Sequence, residues 1–142
     1  FSHSIAMDAD FQHNPKHIQS FLDEPDCDMV LGFRKIAKPM PFQRILSNKI
    51  TSFIISKIIG RKVIDSQTGY RRYKNDIINE NQFSEKGFHF ESEILIKKGK
   101  IINIKQIPID TVYNNSSSHI KPFYDTISFI KLIFKHIVYG TR

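Results

Sequence analysis

Cysteine is almost missing from this 142-residue chain: Cys27 stands alone, so no disulfide can form within it, and its chemistry suits a reducing compartment. Tryptophan is absent, glycine and proline number six each, and no repeat or low-complexity tract interrupts the sequence. Long apolar runs are missing too, and none approaches the roughly 18 residues that a bilayer span requires. Residues 1–10 carry no basic-then-apolar leader pattern and no initiator methionine, and they enter a strand at once; this predicts a piece of a longer protein. Negative charge is missing locally. Residues 34–62 hold eight lysines and arginines and no aspartate or glutamate, within a chain of net charge +7. Such a stretch is either a solvated basic face or a surface that meets phosphate on a nucleotide, a nucleic acid or a lipid.

What is present is a globular balance, 40% hydrophobic and 25% charged, enough for one domain with its own core. Residues 4–7 suggest a short buried strand. Asn14-Pro15 then predicts a helix running to about Leu22, with asparagine as its cap and proline in its first position. "MVLGFR" at 29–34 is a second buried strand, and 35–41 a loop. A long helix is expected over residues 42–59, stopped by Gly60, with Ile45, Leu46, Ile50, Phe53, Ile54 and Ile58 as its apolar face. That face either packs on a sheet or lies against lipid. Residues 69–73 suggest a strand, 75–81 a short helix, 90–98 another helix, and 100–110 an alternating strand whose Pro108 belongs at a sheet edge. Residues 122–139 close the chain with an amphipathic helix. Strands alternating with helices make α/β layers.

The stretch "MDADFQHNP" at 7–15 is the first candidate site. In an extended chain Asp8 and Asp10 project to one side, with Gln12 following, and two close carboxylates are costly without a cation between them. Two carboxylates and an amide oxygen suit a hard cation such as Mg²⁺ or Mn²⁺. The same residue types also open ordinary turns, and the spacing alone leaves both readings standing. Zinc is disfavoured, because Pro15 separates His13 from His17 and no H-E-x-x-H pattern occurs. A Gly-Lys-Ser/Thr phosphate loop is absent, which argues against a P-loop NTPase. A dehalogenase-type phosphatase wants Thr or Val where Gln12 stands. A nucleic-acid binder would interleave exposed aromatics with its basic residues, whereas these aromatics fall at core spacing. No nucleic-acid partner is expected.

The order of segments carries a resemblance. "MDADFQHNP" is followed by "GFRK", "RILSN", "DSQTGYRRY", "GFHFESEIL", "IKQIPIDTVY" and "SSSHIKPFYDTISFIKLIF". Together they resemble the family 2 glycosyltransferases of GT-A fold, most similar to the branch that serves dolichyl and polyprenyl phosphates. The resemblance implies an α/β mixed sheet flanked by helices and roughly the last two-thirds of such an enzyme. Residues 1–142 would be a single partial catalytic domain, with a metal site at 7–15, an acceptor side at 34–75 and the amphipathic helix at 122–139; the family's opening "PxYNE"-like strand is not among them.

By the same resemblance, Asp8, Asp10 and Gln12 hold Mg²⁺ or Mn²⁺, and Asp8 and Asp10 face the diphosphate of a nucleotide-diphospho-sugar donor. Gly69 and His119 join them on the donor side, Gly69 by close backbone approach to the sugar and His119 from a loop that folds over the diphosphate. Arg34, Arg44 and Ser47 face the acceptor's phosphate. Asp65 and Glu93 stand as catalytic carboxylates, with Glu93 preferred to Glu91 because the two cannot face one way along a helix. Arg71 braces its own segment. The implied reaction is an inverting transfer, with a lipid phosphate as acceptor or alternatively a glycan hydroxyl in cell-surface polysaccharide synthesis; a non-catalytic basic binding or scaffold domain is the remaining alternative. The implied location is cytoplasmic and peripheral, at the inner face of the plasma membrane.

Overall fold

Met29, Val30 and Leu31 place apolar side chains alternately on both sides of one strand, so that strand has to be covered on both faces. In this computed structural model, which describes residues 1–25, 27–35, 40–78, 83, 88–111, 127, 129, 131 and 133, four strands form one mixed sheet. They are β1 (His3–Ala6), β2 (Met29–Arg34), β3 (Arg71–Lys74) and β4 (Ile104–Ile109), in the order β1–β3–β2–β4. β3 runs antiparallel to both neighbours, so that Arg72 lies between Ile5 and Val30. β4 runs parallel to β2, with Pro108 opposite Phe33, and it occupies the edge, where a residue lacking an N–H is tolerated.

Helices cover the two faces. On one side Met29, Leu31 and Tyr73 pack with Ile55 and Ile59 of α2 (Phe42–Ile59) and with Ile94 and Leu95 of α4 (Phe88–Lys98). On the other, Val30, Tyr70, Ile107 and Ile109 surround Phe21 of α1 (Ile18–Leu22), whose ring stacks on Tyr70 at 4.5 Å. Each such fully buried apolar side chain contributes about 1.5–3 kcal/mol relative to exposure. The α1 start follows its sequence signal: Asn14 Oδ1 accepts from Lys16 N at 3.0 Å, and a 3₁₀ turn over Pro15–His17 leads into the helix. Gly60, at φ 73°, ends α2 in the left-handed conformation that suits glycine. A short α3 (Asn75–Ile78) follows β3.

The face that α2 buries is not the apolar face expected from its spacing. Ser47, Asn48, Thr51 and Ser52 point inward along with Ile55 and Ile59, while Leu46, Ile50 and Phe53 are exposed; Ile54 and Ile58 pack at the margin of the core. The reason lies beneath the helix. Asp65 and Ser66 are buried there and need hydrogen-bond partners, so the polar side chains of α2 turn toward them. Residues 127, 129, 131 and 133 are helical, and Phe129 and Ile133 enter the core. The rest of the expected 122–139 helix, and His119, lie outside the described residues. Among the described residues, no helix is long and apolar enough to cross a membrane.

Candidate active site

β1 (His3–Ala6) ends one residue before the expected end at Met7, and Asp8 and Asp10 lie in the loop after it, where the chain does not stay extended. The chain bends at residues 9–11, and Phe11 takes a positive φ of 61°. Asp10 is exposed, and its Oδ1 accepts from Gln12 N at 3.0 Å, so this aspartate does form a turn. Asp8 is half-buried. Its Oδ2 lies 3.4 Å from Nε2 of the buried His13, and its carboxylate packs so closely on Gly69 that a Cβ there would stand 2.3 Å from both oxygens. Gly69 thus makes room for Asp8. The hydrogen bond from His13 holds the Asp8 carboxyl below its ordinary range; burial opposes this, and the charges of His13, Arg34 and Arg71 add to it.

Among the described residues, no three His, Cys, Asp or Glu side chains gather as a metal cluster. The residues at hand are nevertheless compatible with a hard dication: an ionised, partly open carboxylate on Asp8, an exposed one on Asp10, and the Gln12 amide.

Asp65 is the hub of a second polar group, beneath the start of α2. Its carboxylate accepts from Arg34 Nε (2.7 Å), Arg34 Nη2 (3.1 Å), Arg34 N (3.2 Å), Asn48 Nδ2 (2.6 Å) and Gln67 N (3.2 Å). Burial pushes its pKa up, but the hydrogen bonds and charge of Arg34, with the Asn48 amide, outweigh that and hold it below the usual range. The Arg34 fork therefore grips Asp65 in bidentate fashion. Gln67 Nε2 reaches Ser47 Oγ at 3.2 Å, which draws Ser47 into the same group. Arg44 stands three residues before Ser47 on α2, half-buried, in the first turn of the helix. The structure thus brings Arg34, Ser47 and Asp65 together, with Arg44 on the adjoining turn.

Arg71, fully buried, braces the DSQTGY segment: Nε donates to Thr68 O (2.7 Å), Nη2 to Ser66 O (2.8 Å) and Nη1 to Glu91 O (3.0 Å). Glu91 Oε2 also lies 3.4 Å from Arg71 Nη2. Burial raises the Glu91 pKa; Arg71 draws it back down, and the Asp8 charge adds to the rise. Glu91 is thus the α4 carboxylate within the field of Asp8, His13 and Arg34. Glu93, the one favoured from the sequence, is completely buried and pairs with Lys97 Nζ at 2.8 Å. Sequence reasoning did not place two neighbours of these carboxylates: His13, tested only as a zinc ligand, and Asn48, an interior polar residue on a helix; Glu91 was weighed against Glu93 and set second. The signal that was available for Glu91 was its place two residues before Glu93, on the opposite side of the helix.

A mixed sheet covered by helices, with an acidic pair just past a strand end, defines the class as a GT-A glycosyltransferase fold. The same fold is found in the crystal structure of glucosyl-3-phosphoglycerate synthase from M. tuberculosis, with a TM-score of 0.64 over 94% of this chain and 49% of that one, at 13% identity. No protein-family model matches the chain. Individual relatives do. A UDP-N-acetylglucosamine–dolichyl-phosphate N-acetylglucosaminyltransferase of Methanococcus voltae is 34% identical over 126 residues, 80% of this chain and 49% of that protein. An uncharacterised protein of Methanocaldococcus jannaschii is 28% identical over 94% of this chain and 58% of its own length. A dodecaprenyl-phosphate galacturonate synthase of Rhizobium johnstonii is 31% identical over 77 residues, 52% of this chain and 23% of that protein. The chain belongs to the family 2 glycosyltransferases, and two of its named relatives, the dolichyl-phosphate and the dodecaprenyl-phosphate enzymes, lie in the polyprenyl-phosphate branch. It spans about half the length of the first two of these relatives, 49% and 58%.

Proposed function

We propose that the protein transfers a sugar from a nucleotide-diphospho-sugar to the phosphate of a polyprenyl or dolichyl lipid, with inversion at the anomeric carbon. The observation that carries this reading is the state of Asp65. Buried, held ionised and accepting five hydrogen bonds, it is poorly suited to take a proton from an acceptor. A sugar hydroxyl has a high pKa and needs a base, whereas a lipid phosphate is already ionised near neutral pH and needs only to be positioned. Asp65 is then a positioning residue that fixes the Arg34 guanidinium. Arg44 and Ser47 supply further contacts to the phosphate, and the N-terminus of α2, with no acidic residue in its first turn, favours an anion there. The names of two relatives, one for dolichyl phosphate and one for dodecaprenyl phosphate, support the same acceptor class.

On the donor side, Asp8, Asp10 and Gln12 would hold Mg²⁺ or Mn²⁺, which supplies positive charge against the departing diphosphate. The chain's own part is to keep Asp8 ionised through His13 and to seat it against Gly69. His119 is assigned to this side on the resemblance, and Glu93 keeps an orienting part through Lys97. Contact with the membrane is peripheral, on the cytoplasmic face.

A second reading rests on Glu91. Its raised pKa and its place near Asp8 would suit it as a base for a glycan hydroxyl acceptor. The test uses labelled nucleotide sugars, polyprenyl phosphate and the intact protein, with Mn²⁺ or with EDTA. Label that enters the organic phase only with metal, and not in Asp10→Ala, is the expected result. Label that reaches only a water-soluble glycan and is lost in Glu91→Gln would establish the second reading. No turnover with any donor would overturn both.

A further inference from the structure

α2 is inside out over its first three turns. Polar side chains face the sheet, while Phe42, Leu46, Ile50 and Phe53 stand 75, 48, 41 and 62% exposed. At about 100° per residue these four fall on a single stripe opposite the buried face. Four large apolar groups aligned in water mark a surface that meets something. Lys49 and Lys57 lie on the same side of the helix, with Lys57 Nζ 5.6 Å above the Phe53 ring. Where the helix ends, Lys49, Phe53, Lys57, Arg61 and Lys62 line an open groove of about 670 Å³. Arg61 is pinned there by the carbonyls of Ile102 (2.8 Å) and Lys100 (3.5 Å), which fixes the groove wall.

We infer that this stripe and groove form a docking face for an anionic lipid bilayer. Phe42, Leu46, Ile50 and Phe53 enter the acyl boundary, and Lys49, Lys57 and Lys62 meet headgroup phosphates. Charge complementarity selects this occupant: the apolar stripe is rimmed by cations within a stretch, 34–62, that has no carboxylate at all. That combination matches an interfacial helix on anionic lipid. The inference deepens the lipid-phosphate reading and rests on it for its purpose, since the same helix carries Arg44 and Ser47 and docking brings them to headgroup level.

The test reads the face directly in the intact protein. An environment-sensitive fluorophore is placed on Leu46→Cys and, as control, on Ile101→Cys, an exposed position in the turn after α4. Vesicles contain phosphatidylcholine with or without phosphatidylglycerol. The expected result is a blue shift and quenching by lipid-borne quencher at position 46 only, and only with phosphatidylglycerol. Lys49→Gln/Lys57→Gln should weaken this partitioning roughly 25-fold, at about fivefold for each lysine. A label at 46 that stays in water, that is shielded before vesicles are added because another segment or a second copy covers it, or that behaves like the control would overturn the inference. Transfer to a short, water-soluble prenyl phosphate separates the two readings: the double variant should leave it unchanged. Insertion without any transfer would uphold docking and remove the catalytic reading; transfer without insertion would do the reverse.

Discussion

Consider Asp65→Asn. The substitution keeps the volume and removes the charge on which three Arg34 nitrogens, Asn48 Nδ2 and Gln67 N converge. Whichever way the new amide turns, one of its N–H groups faces another donor. Asp65 is fully buried and the Arg34 side chain is 10% exposed, so little water can stand in for the lost partner. Removing one member of a buried pair costs about 3–5 kcal/mol, and the sliver of solvent at Arg34 favours the lower end, about 3 kcal/mol. Urea unfolding with a common slope measures this directly. Arg34→Met combined with Asp65→Asn should lose less than Asp65→Asn alone, because no stranded guanidinium remains. The pH dependence has a definite sign. The folded pKa of Asp65 lies below its ordinary 3.8, so its stabilisation is full above that value and is lost as pH falls through the lower folded value; Asp65→Asn abolishes that acid-side loss. A stability loss under about 1 kcal/mol with a transfer rate down more than about 100-fold would refute the positioning role and restore Asp65 as the proton acceptor.

Three further predictions follow from the donor side and α4. Gly69→Ala should displace the Asp8 carboxylate, which lies where the methyl would go, and lower Mn²⁺ affinity by at least about tenfold, read by electron paramagnetic resonance; an unchanged affinity would remove Asp8 from the ligand set. Asp10→Ala should abolish metal-dependent transfer while shifting the unfolding midpoint little, because Asp10 is exposed; a large midpoint shift would mean that its turn matters more than its ligand role. Burial holds the Glu91 pKa above its usual 4.5, so its ionisation erodes stability as pH rises from that value through the raised one. Glu91→Gln should flatten that decline in thermal melts taken from acid to neutral pH, and an unaltered slope would contradict the assignment.

Where local chemistry decides a structure, the sequence was enough. Asn14-Pro15 and Gly60 marked the start of α1 and the end of α2, and the apolar run at 29–34 marked the strand covered on both sides. The burial of α2 was not legible, because its deciding partner, Asp65, lies 17 residues beyond Asn48, and a buried carboxylate reverses the side that spacing alone would bury. The pairing of Glu91 was not legible either, because its partner Arg71 arrives from β3, 20 residues earlier in the chain. The aspartate pair was legible as residues but not as geometry: the strand stops at Ala6, and the chain turns at 9–11, with a positive φ at Phe11, instead of staying extended to Gln12. Gly69 could be picked out as a site of close approach, yet what approaches it comes from 61 positions away.

Arg71 and Arg72 are adjacent in β3 and therefore point to opposite sides of the sheet. One is tied to the carbonyls of Ser66, Thr68 and Glu91, the other to the Glu24 carbonyl and the Cys27 thiol. Sliding β3 by a single position would carry each guanidinium into the opposite layer, away from all of these acceptors. An apolar strand is aligned by the fit of its side chains and tolerates near misses; this one is keyed by two buried cations, one on each side, and a misaligned pairing strands both at once. Val30 or Ile5 could be exchanged for another aliphatic residue without loosening the key, which leaves the strands flanking β3 free to vary in composition there while the alignment stays fixed.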